Sequence, residues 1–384
     1  TSHTTPTGRL PMSAPAVLTE LTDAGVSLWL DDLDRHRLTS GNLQQLIDTR
    51  CVRGVTTNPT IFGRAITGEA SAYATQIASL AAAGVDADGA VRAMTTDDVR
   101  AACDVFAPLW EASGGIDGRV SIEVDPRLAR DTHATITQAR ELWAEVNRPN
   151  VLIKIPATVE GLPAITEVLS DGISVNVTLI FSLERYAAVI DAWMAGLELA
   201  LARGHEPSSI VSVASFFVSR IDTAVDKLLD SLGTPEAAAL RGRAALASAH
   251  LAWDVYTEAL RSDRWSQLRD QGAHPQRPLW ASTGVKDPAF ADTRYVIDLV
   301  APGCVNTMPE KTLEAVADHG VFAGDTVSDS ADRAHEIWRS LNDLGIFEPT
   351  VADGLEQAGV ASFEQSWLDL LDAVTQQLQT ARPA

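Results

Sequence analysis

The chain has 384 residues, 46% hydrophobic and 21% charged, enough to bury a large core. Its formal net charge of -21 gives a surface that repels nucleic acid and anionic membrane, so neither is expected as a partner. Cys51, Cys103 and Cys304 stand far apart with no CxxC pair, which suggests no disulfide framework and fits a reducing cytoplasm, and no run of about 18 apolar residues is present to span a bilayer.

Residues 1–16 (TSHTTPTGRLPMSAPA) lack the positive segment and apolar stretch of a secretory signal and read as a flexible extension. From residue 17 onward, short β-like runs alternate with helical stretches. The first two runs are 26–31 (VSLWLD) and 52–57 (VRGVTT). A long, Ala-rich and mostly helical connection follows, with an insertion expected at about 64–118. The next runs are 119–124 (RVSIEV), 150–155 (NVLIKI), 173–178 (ISVNVT) and 210–215 (IVSVAS). Leu162, Ile165, Val168 and Leu169 recur at helical spacing after the fourth, and Gly172 closes that helix. Ile221, Val225, Leu228, Leu229 and Leu232 do the same after the sixth, opening a second helical insertion at about 225–278. Runs at 279–283 (LWAST) and 303–307 (GCVNT) complete eight, and residues 310–384 read as further helices packing outside. The pattern predicts an α/β chain whose residues 17–384 form one (β/α)8 barrel with helical insertions.

Residues i and i+2 of a strand share a face. One face of 119–124 is Arg119, Ser121 and Glu123, and the other is Val120, Ile122 and Val124. The runs 173–178 and 26–31 split likewise, into Ser174, Asn176 and Thr178, and into Ser27, Trp29 and Asp31. A single such strand suits an antiparallel sheet with one wet face. Alternating helices instead cover the outside of a parallel sheet, so the polar face must look into the barrel. Asp31, Asn58, Glu123, Lys154, Asn176, Thr178, Ser215, Ser282 and the pair Asn306–Thr307 then gather at the C-terminal strand ends, where barrel enzymes place their chemistry.

Lys154 sits in the apolar run VLIKIP. On an edge strand it would be a gatekeeper with its head in water. In a central barrel strand its head loses hydration, which favours the neutral amine, and a neutral amine can attack a ketone to form a Schiff base. The resulting iminium draws electrons from a breaking carbon–carbon bond without a metal or other cofactor. The eight histidines form no HExxH or close ligand pair, so no metal site is expected. Asp31 and Glu123 are the rim carboxylates available to carry protons, Thr178 could relay a proton or place a water, and Asn58 and Asn176 can bond sugar hydroxyls without adding charge. If the first strand is shifted by one residue, Asp32 replaces Asp31.

GVTTNPTIF from Gly54 and VLIKIPATVEGLPAI from Val151 resemble the two signatures of transaldolases in their long bacterial form. SIEVDPRLA from Ser121, VNVTLIFS from Val175 and VASFFVSRID from Val213 match that family in order and spacing, and the likeness spans about residues 26–320. The resemblance implies a cytoplasmic TIM-barrel enzyme of the non-oxidative pentose phosphate pathway, cofactor-free and monomeric or homodimeric. It implies transfer of a dihydroxyacetone unit from fructose 6-phosphate or sedoheptulose 7-phosphate to an aldose phosphate. Lys154 would form the imine and Asp31 would take the proton from the hydroxyl beside the scissile bond. Glu123, with Thr178 and a water, would shuttle protons. Asn58 and Asn176 would hold the dihydroxyacetone unit. Ser215 and Arg220 would bind the phosphate with Ser282 nearby, and Lys286 would add a second cation where shorter relatives carry an arginine. Two alternatives are a fructose-6-phosphate aldolase, which resembles its kin in a tyrosine where this chain has Phe217, and a non-catalytic barrel that binds sugar phosphate.

Overall fold

The computed structural model describes residues 14–382. Eight parallel strands pair in chain order and the last closes on the first. They are β1 Ser27–Leu30, β2 Val52–Val55, β3 Arg119–Glu123, β4 Val151–Pro156, β5 Val175–Ile180, β6 Ser212–Phe217, β7 Arg277–Ala281 and β8 Val305–Met308. Every expected strand is present, with ends displaced by two residues at most. Of the expected extension, residues 1–13 lie outside the described residues, while Ala16 already opens the helix Ala16–Asp23.

Parallel neighbours need crossovers, and helices supply them. Outward-facing Val120, Ile122, Ile153, Ile155, Val175 and Val177 join Ala139, Leu142, Ile165, Val168 and Val189 of the surrounding helices in the main core. Inward positions form a separate cluster that includes Trp29, Leu152, Val213, Leu279 and Val305. The Trp29 ring takes space that the next strand must leave: a Cβ built on Gly54 would stand 2.6 Å from it. At the N-terminal end, Asp117 accepts from Ser27 Oγ at 2.8 Å and from Arg277 Nη1 at 3.0 Å, tying β1 to β7.

The long connections are helical as expected, comprising Pro59–Gly68, Ala70–Ala82 and Ala87–Ala112 after β2, and Ser219–Leu232, Pro235–Leu240, Ala244–Ala259 and Asp263–Asp270 after β6. The chain beyond residue 310 is helical, and its three helices take two kinds of position. Glu310–His319 and Ala331–Asp343 do lie outside, against Ala16–Asp23 and Ala244–Ala259 respectively. The 34-residue helix Glu348–Ala381 instead crosses the C-terminal mouth. Its Ala352, Val360 and Phe363 pack with Leu179, Phe181 and Phe217 at the ends of β5 and β6. Further along it meets Pro59–Gly68, Ala70–Ala82 and Ala87–Ala112 on the opposite rim. Its first half turns Ala352, Val360 and Phe363 onto the strand ends, and its second half turns Leu370, Leu371, Val374 and Leu378 into the main core among the surrounding helices.

Candidate active site

Lys154 is the fourth residue of β4, and register sets it between Glu123 of β3 and Asn176 of β5. The period of two that points Leu152 into the barrel points Lys154 the same way, one layer nearer the mouth. The residue is 4% exposed. Its Nζ donates to the Thr57 carbonyl at 3.0 Å and stands 3.6 Å from Glu123 Oε2, an ion-pair distance longer than a hydrogen bond. Neither Glu123 oxygen has a hydrogen-bond partner among the described residues. Burial pushes the Glu123 carboxyl up to about 7, with the Lys154 ammonium pulling the other way.

Asp31 follows the last residue of β1. Its Oδ1 accepts from Thr56 Oγ1 at 2.8 Å, and Thr56 in turn meets Thr307 of β8. Burial raises the Asp31 carboxyl, against the pull of Lys154. Asp32 points elsewhere: it pairs with Arg37 at 2.8 Å and Arg64 at 3.3 Å. Of the two adjacent carboxylates, Asp31 is thus the one beside the lysine.

The two amides are held differently. Asn58 caps the helix Pro59–Gly68, its Oδ1 accepting from the Ile61 N–H at 2.9 Å, which leaves its NH2 group unspent. Asn176 is locked on both sides, donating to Ser121 Oγ at 3.0 Å and accepting from Ser215 Oγ at 2.7 Å. The Ser215 hydroxyl is therefore engaged with the amide. Thr178 Oγ1 is buried and has no partner among the described residues. Just beyond it β5 bulges: Leu179 has φ +58 and the pairing with β6 slips between Val177 and Ile180.

Arg220 lies in the first turn of Ser219–Leu232 and forms no hydrogen bond or ion pair with any described residue, although burial and the carboxylates Asp31 and Glu123 both act on it. Its guanidinium carbon is 5.4 Å from the Phe217 ring centroid and 5.8 Å from that of Phe363. Ser282 falls just past β7, not within it as expected. A left-handed φ of +54 turns it there, and its hydroxyl meets Ser219 Oγ at 2.8 Å. Lys286 shares an open cleft of about 540 Å³ with Ser219, and burial, helped by the charge of Arg220, lowers its ammonium.

The structure thus brings Asp31, Glu123, Lys154, Asn176 and Thr178 into the barrel mouth, with Asn58 at its rim and Arg220, Ser282 and Lys286 along the β6–β7 side. One member of the expected polar ring is misplaced. Asn306 turns outward and donates to the Tyr295 carbonyl at 2.9 Å, because a strand can send only one of Asn306 and Thr307 inward. Sequence reasoning also missed Thr56, the Thr57 carbonyl, Ser121 and Ser219 as partners. It missed the roof entirely: Trp367 of the long helix helps enclose a cavity of about 200 Å³ with Asn58 and Glu123. Among the described residues no three His, Cys, Asp or Glu side chains are grouped as a metal would need.

Residues 28–374 match the transaldolase/fructose-6-phosphate aldolase family, and the chain belongs to it. Within that family the near relatives share one name. Proteins called transaldolase from Mycolicibacterium paratuberculosis and Thermobifida fusca are each 58% identical to this chain, over 95% and 94% of its length and 98% of theirs. The transaldolase of Mycobacterium tuberculosis is likewise 58% identical over 365 residues.

Proposed function

We propose that this chain is a transaldolase that moves a dihydroxyacetone unit from a ketose phosphate to an aldose phosphate through a Schiff base on Lys154. Transaldolase activity rests on relatives 58% identical over nearly the whole chain. The assignment of residues rests on one observation above others, an almost fully buried amine 3.6 Å from a buried carboxyl at the mouth of a parallel barrel.

Lys154 attacks the ketose carbonyl, and Glu123 accepts and returns protons as the carbinolamine forms and loses water. A carboxyl held near 7 can both take and give a proton at neutral pH. Thr178, whose hydroxyl is unspent, orients that water. Asp31 removes the proton from the hydroxyl beside the scissile bond. The bond breaks, its electrons pass to the iminium, and the aldose leaves. Asn58 and Asn176 keep the three-carbon unit until a second aldose phosphate accepts it. Arg220 and Lys286, with Ser282, face the substrate phosphate, a helix start and guanidinium both favouring the anion, while Ser215 spends its hydroxyl hydrogen on Asn176 and acts through that amide. No metal or cofactor enters these steps. The substrates are sugar phosphates, and we place the reaction in the cytoplasm, in a monomer or homodimer that meets neither nucleic acid nor membrane. No helix of the described residues is long and apolar enough to cross a membrane.

Borohydride added with fructose 6-phosphate should attach a dihydroxyacetone-derived mass to Lys154, and Lys154→Ala should abolish turnover while leaving the fold intact. Label on another lysine would reject the assignment. Transfer that depends on erythrose 4-phosphate separates this activity from an aldolase, which would release dihydroxyacetone without an acceptor.

A further inference from the structure

Gly359, Phe363 and Trp367 are spaced four residues apart on the long helix, so they share the face laid over the barrel mouth. Phe363 is 3% exposed and packs with Phe217, Phe181 and Leu179 at the strand ends. Its ring lies within cation–π reach of Arg220, as does that of Phe217. Gly359 lets the helix come this close: a Cβ there would stand 3.1 Å from Leu179 Cδ2 and 3.5 Å from Arg220 Nη1.

These contacts hold a guanidinium in an unusual way. A carboxylate partner would fix Arg220 by using its N–H groups and would also repel an incoming anion. An aromatic face attracts the cation through its quadrupole and leaves the N–H donors free. Arg220, which bonds to no described residue, keeps its fork available while two rings limit where it can point. Restraining a flexible side chain before the ligand arrives lowers the entropy lost on binding.

We propose that Phe363, on a helix far from the catalytic strands in sequence, is a positioning residue that holds the Arg220 guanidinium ready for the phosphate of the sugar substrates. It rests on the reading of Arg220 as a phosphate ligand. The ring's neighbours are Arg220, Phe217, Phe181 and Leu179, so its effect falls on recognition of the anionic end and not on the bond-breaking step.

Phe363→Leu removes the ring and Phe363→Tyr keeps it. Steady-state transfer should be measured with erythrose 4-phosphate and with unphosphorylated glyceraldehyde as acceptors, alongside inhibition by inorganic phosphate. In Phe363→Leu, KM for erythrose 4-phosphate and Ki for phosphate should each rise about tenfold, with kcat and KM for glyceraldehyde within about twofold of the wild type. Phe363→Tyr should behave as the wild type. Equal losses with both acceptors, or none with either, would overturn the proposal. If Phe363→Leu does not fold, Phe363→Met, flexible and ring-free, gives the same decision. Arg220→Ala runs in parallel. If it too leaves the phosphate preference intact, the parent assignment of Arg220 fails. If it abolishes the preference and Phe363→Leu does not alter it, only the role of Phe363 fails.

Discussion

At the scale of single residues, the most consequential number is the 3.6 Å between Lys154 Nζ and Glu123 Oε2. It puts a proton donor and a proton acceptor side by side where water is scarce. Glu123 rises from its ordinary 4.5 to about 7, so the folded chain keeps a proton that the unfolded chain gives up between those values. Its burial therefore costs nothing below the lower value and more as pH climbs toward the upper one. The melting temperature of the wild type should fall relative to Glu123→Gln between pH 4.5 and about 7, and the gap should then stay constant. A gap that does not change across this window would refute the raised carboxyl. In kinetics, kcat/KM of the wild type should climb with pH through about 7, and that limb should be missing from the residual activity of Glu123→Gln. Much of this cluster could be read from one-dimensional patterns. VLIKIP places a charge in an apolar strand, and the alternation in RVSIEV points Glu123 to the same side as Ser121. Which carboxylate of Asp31 and Asp32 turns inward was open until Thr56 and Arg37 claimed one each.

At the scale of elements, periodicity found the strands because a buried parallel strand is a short apolar run whatever surrounds it. Where the reading failed, the deciding contact was distant in sequence. Ser282 leaves its strand through a left-handed turn that lets its hydroxyl meet Ser219, 63 residues earlier. The helix Glu348–Ala381 carries alanine, leucine and valine on several sides, and nothing local says that one stripe matches the ends of β5 and β6. The interior layer offers a direct check on packing. A side chain on Gly54 must displace the Trp29 ring or press on the Arg119 carbonyl, 2.9 Å from an added Cβ. Gly54→Ala should therefore destabilise the fold by about 1–3 kcal/mol, the usual penalty for overpacking, measured by chemical denaturation. A change under about 0.5 kcal/mol would show that the layer can yield.

At the scale of the whole molecule, a net charge of -21 surrounds a site built to receive anions. The cations that oppose it, Lys154, Arg220 and Lys286, are concentrated at one mouth, and so composition alone gave no hint of the substrate. Extended dialysis against EDTA should leave turnover unchanged, since each proposed step runs on side chains; a reproducible loss restored by a divalent ion would count against the sequence of steps. The closed barrel and its helical insertions were legible because each βα unit signals itself. The roof was not, because it is defined by what it covers.

That roof is one continuous rod. Its 34 residues rise about 50 Å, reaching from Glu348, which accepts from the Leu183 amide near β5, to the helices that follow β2. Two rims that share no strand pairing are spliced by it, so they should not loosen independently. Occupying the anion end with inorganic phosphate should slow amide hydrogen exchange not only near Arg220 but also in Pro59–Gly68 and Ala70–Ala82 across the opening, as if pressing one end of a plank steadied the other.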